Sequence, residues 1–138
     1  MEDYLQCLAK IDALASSSDT PVGVIMGDLN ADPQQDTSGN INHLFGQELV
    51  KFCSEEDYTI SDVELLSAQD IVTYVGPNGV TSWLDHLITT TSAHALVTSI
   101  EVKNGFISSD HLPVIATVSL PSGYDRPQIP QEGTTPTV

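Results

Sequence analysis

Val22-Gly23-Val24-Ile25-Met26-Gly27-Asp28-Leu29-Asn30-Ala31-Asp32 passes from a hydrophobic run to a polar cluster. Its first six residues form a short, continuous, β-branched run that glycine ends, and an Asp/Asn/Pro cluster follows. Such a run is expected to be a strand buried on both faces, with functional residues at its C-terminal end. Alternation along an extended segment points Asp28 and Asn30 to the same side. A carboxylate beside an amide at a strand's edge can polarise a water and hold a phosphoryl oxygen. The bland alternative is an Asx-rich turn. The spacing Asp28-x-Asn30-x-Asp32 also opens an EF-hand-type calcium loop, but that loop needs glycine at its sixth position and glutamate at its twelfth. Pro33 and Gly39 stand there, which excludes it.

Upstream of this run, Tyr4, Leu5, Leu8, Ile11 and Leu14 fall at helical spacing for one buried face, and residues 16–20 with Pro21 end the pattern. Downstream, residues 32–42 are rich in turn formers and predict an exposed loop. A second helix is expected over residues 43–55 with Leu44, Phe45, Leu49, Val50 and Cys53 inward. Residues 71–75 predict a strand and Gly76-Pro77-Asn78-Gly79 a turn. Further strands are expected over 84–89, 96–102 and 114–120. The order of helices and strands implies a layered α/β arrangement. The domain reading is a partial domain over residues 1–120 and a disordered Pro/Thr-rich tail over 121–138. With several hydrophobic strands and few helices to cover them, the sheet is expected to expose apolar surface on one face.

The 138 residues carry four basic and 19 acidic side chains, a formal net charge of −15. Such a surface repels nucleic acid, whose binding rests on Lys and Arg neutralising phosphates. A free-standing DNA-binding module is therefore disfavoured. A phosphodiesterase site is not, because a divalent cation can neutralise both carboxylates and phosphate. Cys7 and Cys53, with no CxxC spacing, exclude a disulfide scaffold or cysteine zinc cluster. The acidic first residues, the lack of an Asn-x-Ser/Thr sequon and the lack of a long apolar run predict an intracellular protein of the nucleus or cytoplasm with no membrane partner.

Two more polar clusters sit at strand ends. In Ser82-Trp83-Leu84-Asp85-His86, Asp85 lies where a loop enters a strand; alone it reads as a turn cap, and Trp83 as core. In Ser108-Ser109-Asp110-His111-Leu112-Pro113-Val114, an adjacent Asp and His stand at a strand's mouth. His111 could act as general acid or stabilise a pentavalent phosphorus if a carboxylate such as Asp85 orients its other nitrogen. Asp110 could bind metal or the catalytic water. No Gly-x-Ser-x-Gly elbow occurs, which leaves a serine hydrolase without a visible nucleophile. His43 and His94 fit no metal-ligand spacing and read as surface or loop residues, and Glu55-Glu56-Asp57 as a solvated helix end.

Gly27-Asp28-Leu29-Asn30-Ala31-Asp32, Thr73-Tyr74, Ser82-Trp83-Leu84-Asp85-His86 and the cluster at 108–114, in that order, resemble the endonuclease/exonuclease/phosphatase superfamily, which includes DNase I-like nucleases and apurinic-type repair endonucleases. Their wording is most like the endonuclease domain of non-LTR retrotransposon reverse-transcriptase proteins, and the resemblance covers about residues 21–120. It implies part of a four-layer α/β sandwich with helices outside two mostly antiparallel sheets. It implies that Asp28 positions or deprotonates the attacking water and that Asn30 holds the water or a phosphate oxygen. Asp85 would orient His111 toward the scissile phosphate, Asp110 would help bind metal, and Thr73 and Ser82 would lie near the phosphate cleft. Mg2+ is the implied cation, with Mn2+ as substitute.

Nothing before Asp28 matches the family's opening sheet with its metal-binding glutamate, since Glu2 precedes only a helix. The expectation is a chain lacking the N-terminal half of the domain and inactive alone. Its partners would be DNA as substrate and the missing half or a fused reverse-transcriptase domain. Three functions follow: part of a metal-dependent endonuclease, a non-catalytic remnant or interaction module, or a phosphoesterase acting on a small molecule or lipid headgroup.

Overall fold

The β-branched run after Pro21 pairs antiparallel with the run after Leu84 in the computed structural model, which describes residues 1–34, 40–66, 71–105 and 108–120. In chain order the elements are α1 (Glu2–Ser16), β1 (Val24–Asp28), α2 (Ile41–Glu55), β2 (Tyr58–Ile60), α3 (Ser61–Leu65), β3 (Tyr74–Val75), β4 (Thr81–Ser82), β5 (Asp85–Thr90), α4 (Thr91–His94), β6 (Val97–Val102) and β7 (Val114–Val118). The fold is mixed α/β. β5 is the centre of a three-stranded antiparallel sheet ordered β1-β5-β2, and β3-β4 and β6-β7 form two antiparallel hairpins. The expected tail from Pro121 and residues 35–39 of the expected loop lie outside the described residues.

Alternation along β5 divides the core in two. Ile88, with Ile25 and Ile60 on the neighbouring strands, faces the helices, where Leu8 of α1 and Leu49 and Cys53 of α2 meet it. Leu87 faces the other way and packs on Val97 and Ile100 of β6, with Val114 and Ala116 of β7 at the margin. β5 is thus covered on both sides, helices on one and the β6-β7 hairpin on the other.

β1 departs from the expected double burial. It is an edge strand bonded only to β5, and Val24 and Met26 remain 52% and 55% exposed. Helices cover its Ile25 face, while the hairpin that shields Leu87 leaves the Val24–Met26 face open. This is the exposed apolar sheet face that the shortage of covering helices implied.

Both long helices also bury a narrower stripe than their apolar content suggested. On α1 the stripe is Tyr4, Leu8, Ile11 and Ala15, and Leu5 and Leu14 fall to either side of it, exposed. On α2, which starts at Ile41 rather than 43, the buried residues are Gly46, Leu49 and Cys53, while Leu44 and Val50 face out. Gly46 is there because the chain leaving β1 crosses the helix at that point: a Cβ would run into the Asp32 carbonyl. The strand expected over 71–75 shrinks to Tyr74–Val75, because its partner β4 offers only two residues to pair with. Gly76 N–H donates to the Val80 carbonyl at 2.7 Å, and Gly79, at φ 73°, turns the hairpin in a conformation that suits glycine.

No described helix is long and apolar enough to cross a membrane.

Candidate active site

The site is built by pairing. The register of β1 on β5 sets Asp28 opposite Asp85 at the open end of the sheet. The Leu112 N–H donates to the Thr73 carbonyl at 2.7 Å and the Val75 N–H to the Asp110 carbonyl at 2.9 Å, so residues 110–112 run alongside β3. A single bridge joins Tyr74 and His111 there. Three segments far apart in sequence therefore deliver Asp28, Asp85 and His111 to one place.

His111 sits between the two carboxylates. Its Nδ1–H donates to Asp85 Oδ2 at 2.8 Å, and its Nε2 lies 3.5 Å from Asp28 Oδ2. Asp85 thereby fixes the orientation of the ring and turns Nε2 toward Asp28. The hydrogen bond to Asp85 raises the His111 pKa above histidine's ordinary value; partial burial opposes it, and the charges of Asp85, Asp28 and Asp110 add to the rise. Tyr74 stands beside the ring, centroid to centroid 5.1 Å.

Backbone clamps hold this geometry. Thr73, wholly buried, accepts on its hydroxyl from the Leu84 N–H at 2.9 Å and the Asp85 N–H at 3.2 Å. That hydroxyl holds the backbone at Asp85, and Ser82 is buried too. Asp28 Oδ1 accepts from the Asn30 N–H at 2.9 Å, an Asx turn, and Asn30 adopts φ 51°. The extended alternation that would point Asp28 and Asn30 the same way ends at this turn, leaving Asn30 exposed. Asp110 is exposed as well, and its contact with the hairpin is through its carbonyl.

Ligand atoms of Asp28, Asp85 and His111 all lie within 4.8 Å of one another, the one such cluster among the described residues; Asp110 is not in it. Two carboxylates suit a hard divalent cation such as Mg2+, which takes one or two of them and completes its shell with water and phosphate oxygens. The donor set fits such an ion.

Beneath the cluster lies a second acid–histidine pair that residue patterns did not announce. His86, 1% exposed, donates from Nδ1 to Asp62 Oδ2 at 2.7 Å and from Nε2 to the Ala31 carbonyl at 2.6 Å. Asp62 Oδ1 accepts from the Leu87 N–H at 2.8 Å. Neither a carboxylate nor a carbonyl can donate, so both ring nitrogens carry hydrogen. Burial alone would strip that second proton, but the Asp62 hydrogen bond and charge, the Ala31 carbonyl and the Asp85 charge outweigh it and raise the pKa. Asp32, also buried, accepts from the Trp83 N–H at 3.1 Å and the Gln34 N–H at 3.0 Å. Of the two histidines read as surface or loop residues, His43 is part-buried on α2 with Nδ1 3.0 Å from the Gln34 carbonyl, and His94 Nδ1 meets the Ser61 hydroxyl at 2.8 Å.

A family model described as endonuclease-reverse transcriptase matches residues 2–115. The chain belongs to this family. Among solved structures, this family member is similar to an AP endonuclease from Archaeoglobus fulgidus, with 17% identity and a TM-score of 0.68 over 87% of this chain and 56% of that one. It is similar also to the 3′ phosphatase NExo from Neisseria bound to product DNA hairpin, with 15% identity and a TM-score of 0.65 over 85% of this chain and 52% of that one. A third likeness is to AP endonuclease LMAP from Leishmania major, at 16% identity and a TM-score of 0.63, covering 83% and 41%. These likenesses establish the fold, and the chain spans about half the length of the solved structures it matches. No curated protein sequence matches it.

Proposed function

We propose that this chain carries the catalytic face of a metal-dependent phosphodiesterase that hydrolyses nucleic-acid phosphodiester bonds. The observation that supports it is the line Asp85–His111–Asp28, in which one carboxylate holds the ring at 2.8 Å and the other stands 3.5 Å from the nitrogen left over. In this reading, Asp28 orients and deprotonates the attacking water, and Asn30 holds the water or a phosphate oxygen. The Nε2–H of His111 donates to an oxygen of the scissile phosphate in place of Asp28, and that hydrogen bond strengthens as charge builds on the phosphorus oxygens. Asp85 keeps the ring in the required tautomer, Thr73 keeps Asp85 in place, and Ser82 backs the same wall. The Asp28 and Asp85 carboxylates, with Asp110, would hold Mg2+ or Mn2+, which would supply Lewis-acid polarisation and charge neutralisation.

DNA is the substrate in this reading, and the family's association with reverse transcriptase makes a fused or partner reverse-transcriptase domain its natural context. Residues 1–120 would be one portion of the four-layer sandwich, with 121–138 as a tail. The exposed Val24–Met26 face is the surface that a further sheet would cover.

A second reading is a non-catalytic module that keeps these residues by descent. It is favoured by the donor count, since one of the three ligand side chains is already committed to another.

Nicking of supercoiled plasmid, with Mg2+ and with chelator, by the chain and by Asp28→Ala and His111→Ala separates the two. Mg2+-dependent nicking lost in both variants is the expected result. Three folded proteins that all fail to nick would leave the non-catalytic module, and nicking that survives both substitutions would place the chemistry elsewhere.

A further inference from the structure

Asp28 and Asp85 face each other across one pair of strands, but Asp28 is the last residue of β1. Beyond it the chain leaves the sheet and turns at Asn30, tied to β5's approach by the Leu29 N–H on the Leu84 carbonyl at 2.9 Å and the Trp83 N–H on Asp32 Oδ2 at 3.1 Å, to α1 by the Tyr4 hydroxyl on the Leu29 carbonyl, and to α2 by the Asp32 N–H on the Asn42 carbonyl. A strand end of this kind frays unless something pins the segment that follows. The tie from that segment to α3 is His86, the residue next to Asp85, whose Nε2–H closes on the Ala31 carbonyl while Nδ1–H closes on Asp62. Asp62 in turn grips β5 through the Leu87 N–H. The loop carrying Asp28 and Asn30, the strand carrying Asp85 and a helix behind them are joined by one side chain with no access to solvent.

We infer that His86 is a positioning residue: by clamping Ala31 to Asp62 it sets the separation of Asp28 and Asp85, and so the seat of His111 and of a divalent cation between them. The inference rests on the metal-dependent reading of that site for its cation half only. The His111–Asp85 hydrogen bond is a property of the folded chain and can be read without any metal.

The full chain is the material for the test, with Mn2+ as probe, followed by loss of the free-ion electron-spin signal. The low-field Nδ1 proton of His111 reports the hydrogen bond to Asp85. His86→Gln and His86→Leu are expected to weaken Mn2+ binding roughly 10–100-fold, the usual effect of losing a partner behind a metal's ligands, and to shift or broaden the His111 proton. Leu49→Ala removes a wholly buried side chain from the helix-side core and controls for lost stability. It is expected to leave both readouts at wild-type values, each protein being measured well below its own unfolding temperature. Either His86 variant, folded, with wild-type Mn2+ affinity and an unshifted His111 proton would overturn the inference, as would equal changes in Leu49→Ala. Wild-type protein that binds no Mn2+ would sink the metal reading of the site instead, and the His111 proton would then decide the positioning role alone. Should neither His86 variant fold, nitrogen shifts of the wild-type ring decide: an Nε2–H agrees with the clamp on the Ala31 carbonyl, and a bare Nε2 overturns it.

Discussion

Replacing Asp62 by Ala should be among the most damaging single changes available to this chain. The carboxylate is fully buried and accepts from two buried donors, His86 Nδ1–H at 2.7 Å and the Leu87 N–H at 2.8 Å. Alanine leaves both without a partner, at about 1–3 kcal/mol each. The sum agrees with the ~3–5 kcal/mol typical of breaking a buried pair by deleting one member. Against a total stability of about 5–15 kcal/mol, that is a large share. With a urea m-value of roughly 1.5 kcal/mol/M, the midpoint falls by about 2–3 M. Asp62→Asn can still accept one of the two bonds and should cost less. The pair also sets a pH dependence. Because the His86 pKa is higher in the folded chain than in the unfolded one, its stabilisation is complete below about pH 6.5. It is lost as the pH rises through the folded value, since the folded state there holds the extra proton. Equilibrium urea unfolding across that window, for wild type and Asp62→Ala, is the assay. A loss under about 1 kcal/mol, or an Asp62→Ala protein that keeps the wild-type slope against pH, would refute the reasoning.

Proton NMR of His111 should show it titrating above the ordinary histidine value, and Asp85→Asn should bring the titration down by removing the charge and leaving a weaker, neutral hydrogen bond; an unchanged midpoint would mean that Asp85 does not hold the ring. Gly46→Ala should lower stability by about 1–3 kcal/mol, because the new methyl must displace the Asp32 backbone, and thermal unfolding at wild-type temperature would show that the helix does not pass so close. Thiol modification should be split: exposed Cys7 reacts in the native protein, while Cys53, buried and with its pKa pushed up to about 12 by burial and then by the Asp62 charge, reacts only on unfolding. Two fast thiols would place Cys53 at the surface.

What sequence made visible was whatever local pattern controls. β5 and β6 are β-branched runs of ordinary strand length, and they form close to where composition puts them. Exposure was harder, because it depends on neighbours that pattern does not name. Val24 and Met26 read as core until β1 proves to be an edge strand with one covered face. Leu5, Leu14, Leu44 and Val50 are apolar but lie beside the stripe that their helices bury. The short elements β2, α3, β4 and α4 carry too few residues to show a period. Within the site, Asp28, Asp85 and His111 stood out as polar residues at strand ends, and their ordered motifs gave the family. Thr73, Asp32 and His86 stood in those motifs too, but Asp62 and the bonds that these residues make did not show, because each bond has a partner distant in sequence. The one clue to His86 was its place after Asp85, which on a strand turns it to the opposite, inward face.

Paramagnetic mapping by Mn2+ tests most directly whether the Asp28–His111–Asp85 convergence is where cation and phosphate would meet. The account predicts that, at the lowest Mn2+ additions, resonances of Asp28, Asp85 and His111 and their sequence neighbours broaden first, and that Asp28→Ala abolishes the effect. Broadening that begins on other acidic groups, such as Glu48 and Glu55 of α2 and Glu56 just after it, and is indifferent to Asp28→Ala would contradict it.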